Sequence, residues 1–142
     1  MQPPQRRLLI HTDGAARGNP GPAGAGAILR DASDGSVVAE IATFLGTRTN
    51  NYAEWTAVEL ALEEALALGA THVDMRMDSE LVVRQMQGKY KIKEPALQLL
   101  AQEAVKLMKF FRSITFRHVL RDHNREADKL VNQAIDAEMK VI

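Results

Sequence analysis

HTDGAARGNPGPAGAGAIL, residues 11–29, holds five of the chain's nine glycines and two of its five prolines, with apolar residues on both sides. The run RRLLIHTD (6–13) before it reads as a strand that ends on a single aspartate, Asp13. The run AGAGAILRD (23–31) reads as a second strand, and the glycines and prolines between the two mark a mobile, sharply turned loop. Two chemistries place a carboxylate beside such a loop. One is phosphate binding by a glycine-rich turn. The other is a metal-binding carboxylate next to backbone that must lie close to a substrate.

Working outward, GSVVAEIATFLG (35–46) reads as a third strand, joined to the second through the turn DASDG as an antiparallel hairpin. NNYAEWTAVELALEEALALG (50–69) is a helix rich in alanine and leucine, opened by asparagines and closed by Gly69. A short strand THVDMRMD (71–78), a short helix SELVVRQMQG (79–88) and an amphipathic helix ALQLLAQEAVKLMKFF (96–111) follow. A last strand SITFRHVL (113–120) precedes a final helix over 124–142, with Asn124 as its cap. The order β-β-β-α-β-α-α-β-α predicts an α/β fold, a mixed five-stranded sheet flanked by helices. In such sheets ligands bind beyond the carboxyl ends of the parallel strands, where Asp13 and Asp78 stand.

The bulk numbers narrow the classes. A chain of 142 residues is one domain, here 1–142, large enough for a real core. Eighteen Lys and Arg balance eighteen Asp and Glu, so net charge draws the chain to neither nucleic acid nor membrane. The absence of cysteine excludes disulfides, zinc–thiolate sites and thiol catalysis. No apolar run is long enough for a signal peptide or a membrane span, so a soluble cytoplasmic protein is expected.

Two helices carry an acid where an apolar residue belongs. At about 100° per residue, Glu54 shares a face with Val58, Ala61, Ala65 and Leu68, while Glu59 and Glu63 fall on the opposite, solvent side. Asp128 likewise heads a stripe with Ile135, Met139 and Ile142. Plainer roles exist for each acid: Asp13 as a turn opener, Asp78 as a helix cap, Glu54 and Asp128 as complements to a helix dipole. The dipole explains a position along the helix but not the face. Four carboxylates converging in a partly buried place repel one another, and a divalent cation relieves this. All-oxygen ligation favours Mg²⁺ or Mn²⁺.

TDGAARGNPGPAGAGAIL, TRTNNYAEWTAVELAL, MDSELVVRQMQG and NREADKLVNQA, read together, resemble type 1 ribonuclease H along nearly the whole chain. The resemblance implies the ribonuclease H-like fold and an endonuclease that hydrolyses the RNA strand of an RNA/DNA hybrid with two Mg²⁺ ions, Mn²⁺ substituting. It leaves 5′-phosphate and 3′-hydroxyl products. It makes Asp13, Glu54, Asp78 and Asp128 both the catalytic and the metal-binding acids. It also gives the glycine-rich stretch a purpose, backbone at and after Gly14 that approaches the minor groove, where 2′-hydroxyls are read. Asn19, Asn50 and Asn51 resemble residues that contact sugars and bases, and Arg48 with Thr49 falls where the family holds a DNA phosphate.

Two departures stand out. Where many bacterial members carry a long basic, tryptophan-rich handle, this chain has only QGKYKIKEP, with Lys89, Tyr90, Lys91 and Lys93. The segment before the last acid is the short HVLRDHNREAD, which places His118 in the last strand and leaves Arg121 and His123 as candidates for assisting product release. The shorter form resembles the compact, archaeal-like branch. The expected partner is a hybrid duplex, bound by a monomer with no obligatory protein partner and no membrane. The rivals are another nuclease of the same fold acting on DNA, and a non-catalytic hybrid-binding module.

Overall fold

The computed structural model describes residues 5–139. Strands β1 (Arg7–Ala16), β2 (Gly21–Asp31) and β3 (Val37–Arg48) form an antiparallel meander. Helix α1 (Asn50–Ala67), strand β4 (His72–Met77), helices α2 (Glu80–Met86) and α3 (Pro95–Met108), strand β5 (Ser113–His118) and helix α4 (Arg125–Met139) follow. The sheet order is β3-β2-β1-β4-β5, with β1–β4 and β4–β5 parallel. This is the mixed five-stranded sheet that the element order predicts. No helix among the described residues is long and apolar enough to cross a membrane.

The largest difference from the sequence reading lies in the opening stretch. Asp13 does not end β1: the strand runs on to Ala16, in register with β2 as far as Ala16↔Ala23. Most of the stretch read as mobile loop is therefore the end of a hairpin whose tip is residues 17–20. What stops at Asp13 is the parallel ladder, whose last pair is Thr12↔Met77. Asp13 and Asp78 are thus the first residues beyond the end of the parallel pairing, as the fold rule requires.

Gly14 and Gly26 serve packing. Successive residues of a strand face opposite sides of the sheet, so the pair Gly14↔Ala25 looks one way and Asp13↔Gly26 the other. A Cβ on Gly14 would lie inside the backbone of Ala53 and Glu54, and one on Gly26 would lie 2.7 Å from the Ala127 carbonyl. Both acid-bearing helices therefore press their first turns onto the sheet at glycine, α1 on one face and α4 on the other. Gly14 thus has a packing role at the α1 contact.

Between the sheet and α1 lies the core, with Leu8, Ile10, Leu29, Trp55, Leu62, Met75 and Met77 each under 2% exposed. Helix α3 docks on α1, which half-buries Glu59; Glu63 is exposed as expected. Burial, followed by the charges of Glu63 and Glu103, raises the Glu59 carboxyl. On α4, Ile135 is buried but Met139 is 50% exposed, so the stripe headed by Asp128 ends early; Ile142 lies outside the described residues. Met75→Ala is expected to destabilise the chain by about 2–5 kcal/mol, read as a lower urea midpoint at unchanged slope.

Candidate metal and nucleic-acid site

Three elements bring acids to one place. Asp13 of β1, Glu54 of α1 and Asp78 after β4 each offer a carboxylate oxygen, all within 4.8 Å of one another. Asp13 is 4% exposed and Glu54 9%; Asp78 and Asp128 are half-buried. Asp128 is not one of that trio, but its carboxyl lies within hydrogen-bonding reach of Asp13. The plainer roles mostly fail. Asp13 opens no turn, since it pairs with Gly26 inside the hairpin. Ser79, not Asp78, caps α2, its hydroxyl accepting from the Val82 amide at 3.3 Å. Glu54 lies beyond the first turn of α1, too deep to complement its dipole, whereas Asp128 is in the first turn of α4.

The electrostatics follow from this crowding. Burial first, then the charges of Asp78 and Asp128, push Asp13 up to about 8, and the Gly14 amide offsets part of the rise. Burial and the charges of Asp13 and Asp78 hold Glu54 well above the usual carboxylate range. Glu54 Oε2 is buried with no hydrogen-bond partner. Such a cluster must take up protons or cations. Its all-oxygen donor set, with an orphaned carboxylate oxygen, fits a hard divalent ion of the Mg²⁺ type.

The expected substrate residues gather at the hairpin tip and the start of α1. Thr49, rather than an asparagine, is the N-cap of α1; its hydroxyl accepts from the Tyr52 amide at 3.1 Å. Asn19 Oδ1 accepts from the Asn50 amide at 3.0 Å, and Asn50 Oδ1 accepts from the Ala16 amide at 2.7 Å. These bonds staple the tip to the helix and leave the side-chain NH₂ groups of both asparagines for other acceptors. Asn51 Oδ1 is buried without a partner. Arg17 ties the tip to α4 through Asp136 at 2.7 Å and Asn132 at 3.1 Å. Arg48 stacks over the Tyr52 ring at 4.5 Å; sequence reasoning missed Tyr52, although a cation and an aromatic four residues apart are a legible pair.

Arg121 and His123 sit on an exposed 3-10 turn, Arg121–His123, and His123 lines a shallow cleft with His11 and Glu126. Asn124 departs from its expected role. Its carbonyl accepts from the Asp128 amide at 3.1 Å, as a cap residue's does, but its side chain reaches β1 instead of its own helix.

A family model described as "Reverse transcriptase-like" matches residues 11–134. The chain is 40% identical to the crystal structure of RNase H1 from Halobacterium salinarum, at a TM-score of 0.88 over 92% of this chain and 98% of that one. It is 43% identical to LC11-RNase H1 in complex with an RNA/DNA hybrid, at a TM-score of 0.87 over 94% and 99% of the two chains. The chain belongs to the type 1 ribonuclease H family. A bifunctional protein of Mycobacterium tuberculosis is 44% identical over 131 residues, 92% of this chain but 36% of that protein, so the chain spans about a third of that relative. In this ribonuclease H chain, residues 87–94 alone connect α2 to α3, and Tyr90 there lies 5.7 Å below the Arg84 guanidinium. His118 is the last residue of β5, as expected.

Proposed function

We propose that this chain, acting as one ribonuclease H domain, hydrolyses the RNA strand of RNA/DNA hybrids with two divalent ions, Mg²⁺ or in its place Mn²⁺. The products carry 5′-phosphate and 3′-hydroxyl ends. The observation that carries the reading is the convergence of Asp13, Glu54 and Asp78 within 4.8 Å, with Glu54 Oε2 orphaned. The hybrid-bound relative at 43% identity supports the choice of substrate. Asp13, Glu54, Asp78 and Asp128 would hold the ions, with Asp13 central because the charges of Asp78 and Asp128 act on it and its own charge acts on Glu54. Ions bound there supply Lewis-acid stabilisation of the charge that develops on the phosphodiester and lower the pKa of the attacking water.

The protein's own contribution is placement. The stapled hairpin tip offers the Asn19 and Asn50 amide NH₂ groups, with Asn51 beside them, to sugar and base acceptors of the RNA strand. Reading 2′-hydroxyls there selects RNA over DNA. The Thr49 hydroxyl accepts the Tyr52 amide and so keeps its own proton for a DNA phosphate, beside an Arg48 held flat on Tyr52. Arg121 and His123, exposed on the turn before α4, assist product release.

The test is a hybrid with labelled RNA, incubated with Mg²⁺, Mn²⁺ or EDTA beside single-stranded RNA and duplex DNA. Internal cuts confined to the RNA of the hybrid and lost in EDTA are expected. Cutting of DNA would assign the chain to another activity of this fold. Hybrid binding without cutting would make it a binding module.

A further inference from the structure

We propose that Asn124 is a positioning residue that couples β1 to α4 and so sets the approach of Asp13 to Asp128; the proposal rests on the metal-site reading above. Asn124 and Asp128 are the two ends of the first turn of α4, joined by the Asp128 amide to the Asn124 carbonyl at 3.1 Å. From the same residue, Nδ2 donates to the carbonyl of Thr12 at 2.8 Å, across 112 positions of chain. Thr12 is fully buried, precedes Asp13, and is the last β1 residue paired with β4. One side chain therefore fixes the residue before one acid to the turn that carries another.

The choice of bond is informative. An asparagine at this place ordinarily turns its side-chain oxygen onto the amides of its own helix. Here Oδ1 is buried and has no partner, and the residue is 1% exposed. The local cap bond is given up for a distant one. Among the described residues no other side-chain hydrogen bond is buried in this way; Arg17 to Asn132 also reaches α4, but it leaves from beyond β1 and is exposed. Two further contacts seat the same turn: Arg30 grips Glu126 at 2.7 and 3.0 Å, and Gly26 admits the Ala127 carbonyl. These hold α4 on β2. The Asn124 bond to Thr12 ties the same turn to β1, where Asp13 is. A neutral amide also donates to Thr12 without adding charge to the cluster, which an aspartate could not do.

Asn124→Ser separates positioning from stability. Serine caps a helix as well as asparagine does, but its hydroxyl is too short to span to Thr12. The variant should keep a melting temperature close to the parent's in EDTA. Calorimetric Mn²⁺ affinity without substrate should fall roughly 10-fold or more. Turnover should fall with it at unchanged KM for hybrid. Asn124→Asp, which keeps the shape and loses the donor, should show the same loss. Unaltered Mn²⁺ affinity and turnover in a folded Asn124→Ser protein would overturn the proposal while leaving the metal-site reading in place. A parent protein that neither takes up Mn²⁺ nor cuts hybrid would overturn both.

Discussion

Asp13→Asn is expected to abolish hybrid cleavage and to leave a folded chain that, without divalent ions, is more stable than the parent at pH 8. The first half follows from the site. Asp13 is the carboxylate on which the others converge, and replacing its charge by an amide of the same shape removes a donor to the ions. On the proposed mechanism the ions would supply several kcal/mol of transition-state stabilisation, so a loss of about 10³-fold or more in rate is expected. Asp78→Asn should behave alike. Full activity in a folded Asp13→Asn protein would remove Asp13 from the mechanism.

The second half follows from the ionisation of the same group. In the unfolded chain the Asp13 proton leaves near pH 3.8, and in the folded chain it stays until about pH 8. Between those values the folded state binds more protons, so stability falls as pH rises through this window. Asp13 contributes at most about 1.4 kcal/mol per pH unit to this slope, and Glu54, raised in the same direction, adds to it. Melting of the parent in EDTA should thus drop from pH 5 to pH 8, and Asp13→Asn should flatten that drop. Saturating Mg²⁺ should flatten it too, by binding only the folded, ionised cluster. A parent melting curve that ignores pH in EDTA would contradict the crowding of these carboxyls.

Why the acids were legible in the sequence and their supports were not comes down to range. Glu54 stood out because helical period places it on the buried face with Val58 and Ala61, and that face is buried. Asp78 stood out because an apolar strand ends beside it, and here the local rule and the sheet agree. The extent of β1 beyond Asp13 was hidden because Gly14, Ala15 and Ala16 have the composition of a turn. Gly14 and, on β2, Gly26 are bare because a helix covers each face of the hairpin, and that pressure comes from residues some forty to a hundred positions away, at Ala53 and Ala127. Asn124 misled for the same reason: a cap is the nearest use of its side chain, and Thr12 becomes a competitor only once β1 and α4 are docked. Glu59 read as a solvent residue because nothing in α1 announces that α3 will lie over it.

Gly14→Ala carries the largest expected effect on the fold, and it separates packing from substrate approach as the reason for that glycine. The added Cβ would overlap the carbonyl carbon of Ala53 and the amide of Glu54, backbone atoms that cannot turn aside as a side chain can. Either α1 lifts from β1 or the strand bends. Overpacking of a core by a methyl group costs about 1–3 kcal/mol where side chains yield, so a backbone collision should cost at least about 3 kcal/mol, read as a large fall in urea midpoint. Gly24→Ala is the natural comparison, because there the Cβ comes no nearer than 3.1 Å to any atom, meeting Ile135 Cγ1 and the Val131 carbonyl at that distance. Its midpoint should fall less. Were Gly14 needed only to let a duplex come near, Gly14→Ala would melt like the parent and lose hybrid affinity alone. The packing account instead predicts that stability falls together with metal affinity, since the shift occurs between Asp13 and Glu54 themselves. Gly14 follows Asp13 directly, and where it meets the Ala53–Glu54 peptide the two backbones lie so close that a side chain has no room.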